Sequence, residues 1–260
     1  MNLGLSGKYA LVTGGSHGIG RAIALALAAE GCHVAICARN KQRVDEVVKE
    51  IENKGVVGIG ISADATNPQD IERVVSIITG TWGKLHILIN NVGGGGSWGS
   101  EDVEQTSEKV WQDVYDKNVT AAIRFTMRCL PLMRKEKWGR VVTISSICGR
   151  EAGGRPWYSM AKSAQISFMK SLAIKHDLVR DGITFNSVAP GQIMIPDTGL
   201  ERKQRENPEE FNKFVLENFP LGRLGLPEEV ASVVTFICSD KAQLLNGASI
   251  VIDGGQSKIL

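Results

Sequence analysis

Short apolar runs and longer segments of helical periodicity alternate along the whole chain. The apolar runs are rich in β-branched residues and predict seven strands, at 8–13, 33–37, 57–62, 86–89, 140–145, 183–188 and 249–252. Between them, apolar residues at helical spacing predict helices at 19–30, 41–54, 68–82, 107–134, 157–180 and 227–239. The strands are continuously apolar, which is expected of parallel strands covered on both faces. The pattern therefore predicts an α/β fold, a doubly wound seven-stranded parallel sheet with helices on both faces.

One long segment, about 191–226, interrupts this alternation. It follows Pro190, contains further prolines and carries the charged run 201–206. Long connections within compact domains are usually functional, so we expect this segment to form a loop beside the substrate. The alternative is a solvated surface helix punctuated by proline. Since no linker or repeat divides the rest of the chain, residues 1–260 are expected to form one domain.

Composition narrows the class of protein. The 260 residues are 43% hydrophobic and 22% charged, with a formal net charge of +2, as in ordinary soluble globular proteins. No basic tract suggests a nucleic-acid or membrane partner. The chain shows no signal-like leader, and its five cysteines are scattered, which favours free thiols and a cytoplasmic location. The four histidines lack metal-ligand spacing, so no metal is expected.

A glycine-rich loop joins the first strand to the first helix. Glycines in such a loop allow a sharp turn, bring the backbone against a pyrophosphate and pack the helix closely on the strand. The helix N-terminus adds N–H donors for the phosphates. The predicted cofactor-binding residues of this loop are Gly14, Ser16, His17, Gly18, Ile19 and Gly20.

The end of the second strand indicates which dinucleotide binds. A site for NAD normally has an acid there, which binds the ribose 2′-hydroxyl. This chain has Arg39 instead, and no carboxylate until Asp45 in the next helix. The planar guanidinium of Arg39 is suited to a 2′-phosphate, so NADP(H) is favoured over NAD(H). The alternative is an ordinary surface arginine at a strand end.

Two further polar positions follow the third and fourth strands. Asp64, followed by Ala65, is placed to touch the adenine amino group, or it caps its own loop. Asn91 and Gly93 close the fourth strand at the carboxyl edge, where such sheets bind ligands. The side chain of Asn91 could equally hold the loop together.

Tyr158 and Lys162 are four residues apart at the start of a predicted helix, so they share one face. A nearby ammonium favours the phenolate and is expected to lower the tyrosine pKa, which makes the phenol a usable acid or base. Ser146 ends the preceding strand, where its hydroxyl can stabilise charge on a substrate oxygen. Asn118, within the predicted helix 107–134, could interrupt the helix and hold a water, or merely satisfy a buried neighbour.

Taken in order, these motifs resemble those of short-chain dehydrogenases/reductases over nearly the full chain. The matching positions are Thr13-Gly14 to Gly20, Asp64, Asn90 to Gly93, Asn118, Ser146, Tyr158 with Lys162, Pro190-Gly191, Pro220 to Arg223, Pro227 to Val230, and Asp253 to Gly255. The resemblance implies a Rossmann-type fold and hydride transfer between NADP(H) and a small-molecule carbonyl or alcohol. It also implies a homotetramer in which helices 107–134 and 157–180 form one interface.

The resemblance assigns roles to individual residues. Tyr158 would be the acid/base, Ser146 would polarise the carbonyl, and Asn118 would anchor a relay water. Lys162 would bind the nicotinamide ribose and tune the tyrosine. The backbone at Ile193, after Pro190 and Gly191, would hold the carboxamide.

Departures from the family pattern bear on the substrate. The general pattern is closest to 3-oxoacyl-acyl-carrier-protein reductases, which dock their carrier on basic residues. Lys137 fits that pattern, whereas Asp181 stands where another basic residue is expected. A threonine common after the Pro190 position is replaced by Ile195, and Thr198 could take over its role.

Three residues are predicted to form the wall of the substrate pocket. They are Trp98, Arg155 and Trp157. Two indoles and a guanidinium suit a polar ring or an acidic substrate, although tryptophans near a helix start often serve packing.

Two other functions compete with an NADPH-dependent oxidoreductase. One is a non-catalytic regulator that senses NADPH. Such a protein would not need Tyr158, Lys162 or Ser146, and this chain keeps all three. The other is a family member that acts on a sugar or another polar ring. Epimerisation or dehydration of a nucleotide sugar is disfavoured by the compact length and the lack of an enlarged C-terminal substrate domain.

Overall fold

The computed structural model describes residues 1–259 as seven strands, ten α-helices and short turns of 3₁₀ or π geometry. The strands are β1 (Tyr9–Thr13), β2 (His33–Ala38), β3 (Gly58–Ser62), β4 (Ile87–Asn90), β5 (Gly139–Ile144), β6 (Ile183–Pro190) and β7 (Ser249–Ile252). The helices are α1 (Gly18–Ala29), α2 (Lys41–Glu52), α3 (Pro68–Trp82), α4 (Glu108–Tyr115), α5 (Ala121–Glu136), α6 (Pro156–Ala173), α7 (His176–Val179), α8 (Gly199–Glu206), α9 (Pro208–Asn218) and α10 (Pro227–Ile237). All strand pairs are parallel, in the order β3-β2-β1-β4-β5-β6-β7. The predicted fold is confirmed.

The sheet is buried on both faces, which explains the continuously apolar strands. Ala10 and Val12 of β1 pack with apolar residues of α1, α2 and α10. Leu11, between them, packs on the opposite face with residues of α3, α5 and α6. Successive side chains of a strand point to opposite faces, so both parities of β1 must be apolar.

The order of the strands reverses beside β1, and this positions the site. β1 pairs with β2 on one side and with β4 on the other. Connections from the two strands therefore leave in opposite directions and open a crevice at the carboxyl edge of the sheet. Thr13 and Asn90, the last residues of β1 and β4, lie at this crevice.

The predicted helix 107–134 is wrong as a continuous helix. It consists of α4 and α5, separated by a π-turn over Asp116–Thr120. Asn118 in the π-turn donates from Nδ2 to the backbone oxygen of Val114, at 2.7 Å. The side chain thereby competes with the backbone for a carbonyl, which is the helix interruption that asparagine was expected to make.

Two other boundaries differ from prediction. The helix expected over 157–180 ends as α6 at Ala173, whose carbonyl accepts a 2.8 Å hydrogen bond from Nδ2 of Asn246. A separate short helix, α7, follows. Within 191–226 the chain forms helices α8 and α9, which agrees with the surface-helix alternative for part of that segment.

No helix within residues 1–259 is long and apolar enough to span a membrane. In the same part of the chain, no three His, Cys, Asp or Glu side chains group as metal ligands would. The five cysteines are free thiols, and four of them are buried.

Candidate active site

The glycine-rich loop adopts a backbone conformation that few other residues permit. Gly14 and Gly18 have φ angles of +66° and +53°, in the left-handed region that favours glycine. A Cβ atom on Gly20 would lie 2.3 Å from the backbone oxygen of Gly14, so the start of α1 packs directly on the loop. Bare backbone therefore surrounds the N-terminus of α1, as an anion-binding loop requires.

Asn91 ties this loop to the end of β4. Its Nδ2 donates to the backbone oxygens of Thr13 and Gly14, at 3.0 and 3.2 Å. The Thr13 hydroxyl in turn accepts from the backbone N–H groups of Asn91 and Val92. The structure thus favours the loop-holding alternative for the side chain of Asn91.

A cavity of about 790 Å³ lies along the carboxyl edge of the sheet, between the glycine-rich loop and the π-turn. Its lining includes the predicted cofactor residues Gly14, Ser16, His17, Arg39, Asp64, Ala65, Asn91 and Gly93. The Nε2 atom of His17 is buried there without a hydrogen-bond partner. A buried polar atom of this kind usually finds a partner, and a ligand phosphate or hydroxyl would supply one. The cavity therefore fits a dinucleotide.

The end of this cavity beside β2 is basic. Arg39 lies beside Asn40 and Arg43, the N-cap and an early residue of α2, and Lys117 of the π-turn lies opposite. Burial and the positive charge of Arg39 lower the pKa of Lys117. Sequence reasoning missed Arg43 and Lys117. Arg43 could have been found because it lies in the first turn of the helix predicted directly after Arg39.

Asp64 caps its own loop, the second of its two sequence alternatives. Its Oδ1 accepts from the backbone N–H and the hydroxyl of Thr66, at 2.8 and 2.7 Å. Because Asp64 also lines the cavity, capping does not remove it from the nucleotide site.

Ser145 and Ser146, adjacent in sequence, have different functions. Ser145 donates from its buried hydroxyl to the backbone oxygen of Lys162, at 2.9 Å, and so fixes α6 against β5. The hydroxyl oxygen of Ser146 accepts from the backbone N–H of Cys148, at 3.2 Å. That bond orients the oxygen of Ser146 and leaves its proton for donation.

Ser146 and Tyr158 lie close together at the same edge of the sheet. Burial raises the pKa of Tyr158 to about 12, and the neighbouring side chain of Ser146 lowers it by less. The expectation that Lys162 lowers this pKa is wrong for the structure without cofactor. The Nζ atom of Lys162 lies 5.6 Å from the centre of the Tyr158 ring, and burial dominates.

Lys162 is itself buried, with 3% of its surface exposed. Its Nζ donates to the backbone oxygen of Ile144 and to Oε1 of Gln165, each at 3.0 Å. Burial, reinforced by the charge of Lys117, lowers the pKa of Lys162 to about 7. A Cβ atom on Gly93 would lie 3.0 Å from Nζ, so the position of the amine depends on that glycine.

Asn118 is buried and all its side-chain bonds are made within the protein. Its Oδ1 accepts from the backbone N–H of Gly94 at 3.1 Å, and Nδ2 donates to the oxygens of Gly94 and Val114. The backbone oxygen of Asn118 accepts from Nε2 of Gln165, at 2.8 Å. Asn118 thus fixes the loop after β4, and Gln165 is a neighbour that sequence reasoning missed.

The segment after β6 lies against the glycine-rich loop, where Ile195 packs on Gly18. Ile193 forms a parallel bridge with Gly225, through bonds made by the neighbouring residues Gln192 and Met194. In a parallel bridge of this kind, the N–H and C=O of Ile193 itself point away from Gly225. Neither group is used in the bridge, and the carboxamide role that the resemblance implied for the segment from Pro190 and Gly191 to Ile193 stays a prediction.

Thr198, which could take over the role of the threonine that Ile195 replaces, bonds within its own loop. Its hydroxyl donates to the backbone oxygen of Ile195, at 2.6 Å, and so closes a turn within the same loop. The side chain of Ile195 packs on Gly18, where an added Cβ would lie 3.0 Å from it.

The three predicted pocket-wall residues have different environments. Trp98 lines the cavity and is 40% exposed, with Nζ of Lys117 at 4.7 Å from its ring. The Arg155 guanidinium donates to the backbone oxygens of Trp98 and Gly99 and pairs with Glu101, so it fastens the loop. Trp157 is fully buried against Trp111, and its predicted place on the pocket wall is corrected to packing.

Comparisons with known proteins agree with this site and fold. Residues 14–257 match the family model described as enoyl-(acyl carrier protein) reductase. The 3-oxoacyl-acyl-carrier-protein reductase of Aquifex aeolicus is 37% identical over 265 residues, which cover 98% of this chain and 99% of the relative. Cyclohexanol dehydrogenase of a Rhodococcus species is 37% identical over 270 residues, which cover 98% and 97% of the two chains.

Solved structures of oxidoreductases also match this chain over nearly its full length. L-sorbose reductase from Gluconobacter frateurii, complexed with NADPH and L-sorbose, superposes with a TM-score of 0.91 at 32% identity and full coverage of both chains. A 7α-hydroxysteroid dehydrogenase complexed with NADH and 7-oxo glycochenodeoxycholic acid has a TM-score of 0.88 at 28% identity, covering 100% and 98% of the two chains. The fold, the glycine-rich loop and these near full-length matches together show that the chain belongs to the short-chain dehydrogenase/reductase family of oxidoreductases.

Proposed function

We propose that the protein is an NADP(H)-dependent oxidoreductase that interconverts a carbonyl and a secondary alcohol, with Ser146, Tyr158 and Lys162 as its catalytic residues. The observation that carries the proposal is the placement of Ser146 beside the Tyr158 phenol, with the buried amine of Lys162 5.6 Å from the centre of the same ring. Ser146 follows the carboxyl end of β5, at the sheet edge that also bears the glycine-rich loop after β1.

The preference for NADP(H) is supported by the charges at the end of β2. Arg39 and Arg43 both line the cavity there, and both can reach an added phosphate. Asp45, the nearest following acid, pairs instead with Lys41 on the outer surface of α2, at 2.6 Å. A ribose 2′-hydroxyl therefore lacks the acidic partner that NAD sites usually provide.

The protein groups can support carbonyl reduction in the following way. The bound dinucleotide supplies the hydride. Tyr158 is protonated at neutral pH because burial raises its pKa to about 12, so its phenol can donate a proton to the carbonyl oxygen. Ser146 donates its hydroxyl hydrogen to the same oxygen and stabilises the charge that develops there. Lys162 binds the ribose beside the phenol.

The substrate in this proposal is a free small molecule rather than one held on a carrier protein. Asp181 pairs with Arg134 at 2.7 Å and also with Lys137, the residue that fits a carrier-docking patch. These ion pairs neutralise the positive charge that an acidic carrier would need. The L-sorbose reductase likeness makes a keto-sugar or polyol a second candidate substrate.

Turnover by the purified protein tests the proposal. NADPH oxidation would be followed against 3-oxoacyl thioesters, ketosteroids, quinones, keto-sugars and small diketones, and each hit repeated with NADH. We expect turnover with NADPH on at least one class of free carbonyl. Tight NADPH binding with no turnover on any class would favour the NADPH-sensing alternative instead.

A further inference from the structure

Gln165 is a completely buried polar residue close to the catalytic group. It lies three residues after Lys162 on α6, and its exposed fraction is 0%. Burying an amide costs free energy unless its donor and acceptor are both bonded. The hydrogen-bond partners of this side chain therefore indicate its structural role.

Both ends of the Gln165 amide are bonded, and they join two residues of the candidate active site. Oε1 accepts from Nζ of Lys162, at 3.0 Å, and Nε2 donates to the backbone oxygen of Asn118, at 2.8 Å. Asn118 is in turn fixed to Gly94 by two bonds. One side chain thus connects the amine of α6 to the π-turn and to the loop that follows β4.

These contacts fix the orientation of the lysine amine. A lysine ammonium has three donors. Two of them are used by Ile144 and Gln165, and Gly93 packs against Nζ from the side of the cleft. The third donor is left for a partner in the cleft.

We propose that Gln165 is a positioning residue for the reaction, because its amide holds Lys162 in register with Asn118 and stabilises the charged form of the amine. This inference rests on the proposed function, in which Lys162 binds the ribose. The resemblance assigned a relay water to Asn118. In this chain the amide of Gln165 directly connects the backbone oxygen of Asn118 to Nζ of Lys162.

The charge of Lys162 depends on a small set of neighbours. Lys117 of the π-turn disfavours the ammonium, whereas Cys148 of the turn after β5 favours it, and the Tyr158 phenol faces it from the same helix. Burial lowers the pKa of Lys162 to about 7, so a modest change in its hydrogen bonding alters its charge near neutral pH. Loss of the Gln165 acceptor should lower this pKa further, and a carboxylate at the same position should raise it.

The pH dependence of NADPH binding tests the inference without requiring turnover. The dissociation constant would be measured by fluorescence between about pH 5.5 and 9.5 for the wild type, Gln165→Met and Gln165→Glu. The dissociation constant should change with pH around a midpoint set by the titration of Lys162. Relative to wild type, we expect this midpoint to fall by roughly one pH unit in Gln165→Met and to rise by at least as much in Gln165→Glu. Near neutral pH, Gln165→Met should bind NADPH about fivefold more weakly, because a pKa that is one unit lower leaves fewer amines protonated.

The control is Gln243→Met, which makes the same change at an exposed site outside the cavity and should keep the wild-type midpoint. The cofactor phosphate titrates in every variant, so differences between variants report Lys162. If Gln165→Met does not fold, the upward shift in Gln165→Glu carries the test. An unchanged midpoint in the folded Gln165 variants, with only a lower melting temperature, would overturn the inference.

The outcome can be separated from that of the proposed function. Turnover of a carbonyl by the wild type without any midpoint shift would overturn the role of Gln165 and leave the reductase standing. A midpoint shift in a protein that reduces no carbonyl would support the positioning and remove the proposed activity. Where there is turnover, the pH profile of kcat/KM should shift in the same directions as the binding midpoint.

Discussion

The Arg43 guanidinium, which lines the cofactor cavity, forms an ion pair with the carboxylate of Asp197 at 3.1 Å. Arg43 is in the first turn of α2, whereas Asp197 belongs to the segment after β6. Asp197 has a φ angle of +57°, an uncommon conformation for a residue other than glycine. The pair therefore joins the start of α2, beside the cavity, to the segment after β6.

A dinucleotide with a 2′-phosphate would compete with Asp197 for Arg43. Both side chains are substantially exposed, at 42% and 68%, so the pair is weak and easily exchanged. We expect Asp197→Asn to tighten NADPH binding up to about fivefold, since it removes a competing negative charge. NADH binding should not change. Fluorescence titrations at low and high salt check this, and weaker NADPH binding in Asp197→Asn would contradict it.

Arg39→Asp should reverse the cofactor preference. The new carboxylate would repel a 2′-phosphate and accept from a 2′-hydroxyl, the arrangement typical of NAD sites. We expect kcat/KM with NADPH to fall about 100-fold, with that for NADH unchanged or improved. Comparing the two cofactors on one substrate measures this. An unchanged ratio in a folded variant would show that Arg39 does not bind the phosphate.

Gly93→Ala should impair the reaction by displacing the groups behind the cleft. The added Cβ would lie 2.7 Å from Oδ1 of Asn118 and 3.0 Å from Nζ of Lys162. The contact with Asn118 is too short to persist, so Asn118 has to shift, and Lys162, which is connected to it through Gln165, should be displaced as well. We therefore expect kcat to fall at least about tenfold. Gly80→Ala, on an open surface of α3, is the matched control and should leave kcat unchanged. Equal activity of the two variants would refute this account of Gly93.

His86 should make the protein less stable in mild acid. Its Nδ1 accepts from the backbone N–H of Tyr9 at 3.1 Å, and burial with the nearby charge of Lys8 lowers its pKa from 6.5 to about 4. The unfolded chain therefore binds the proton first, so the free energy of unfolding decreases as pH falls from 6.5 toward 4.

The loss should be roughly 2 kcal/mol between pH 6.5 and pH 5. Denaturant melts at several pH values measure it. In His86→Gln the acid-dependent loss should be smaller, whereas exposed His176→Gln should behave as wild type. An identical pH slope in all three proteins would exclude His86 as its source.

Local sequence patterns predicted the sheet and two parts of the candidate site, the glycine-rich loop and the pair of Tyr158 and Lys162. The strands could be read because parallel strands buried on both faces are apolar throughout. Tyr158 and Lys162 could be paired because a four-residue spacing places two side chains on one helical face. The glycine-rich loop could be recognised because its position between β1 and α1 restricts what it can bind.

Features that depend on distant contacts could not be predicted in the same way. Gln165 also lies one turn from Lys162, but its importance depends on its bond to Asn118, 47 residues away. The burial of Trp157 depends on Trp111, in another helix. The high pKa of Tyr158 reflects burial in the folded protein, which the spacing of Tyr158 and Lys162 does not reveal.

The most direct test of the account is to separate chemistry from cofactor binding at Tyr158. In Tyr158→Phe the ring is kept but the proton donor is lost, so kcat should fall roughly 100-fold to 10,000-fold. The dissociation constant for NADPH should remain within about twofold of wild type. Tyr9→Phe, a matched change at the start of β1 and therefore at the opposite edge of the sheet, should retain full turnover. Near wild-type turnover by Tyr158→Phe would contradict the proposed mechanism.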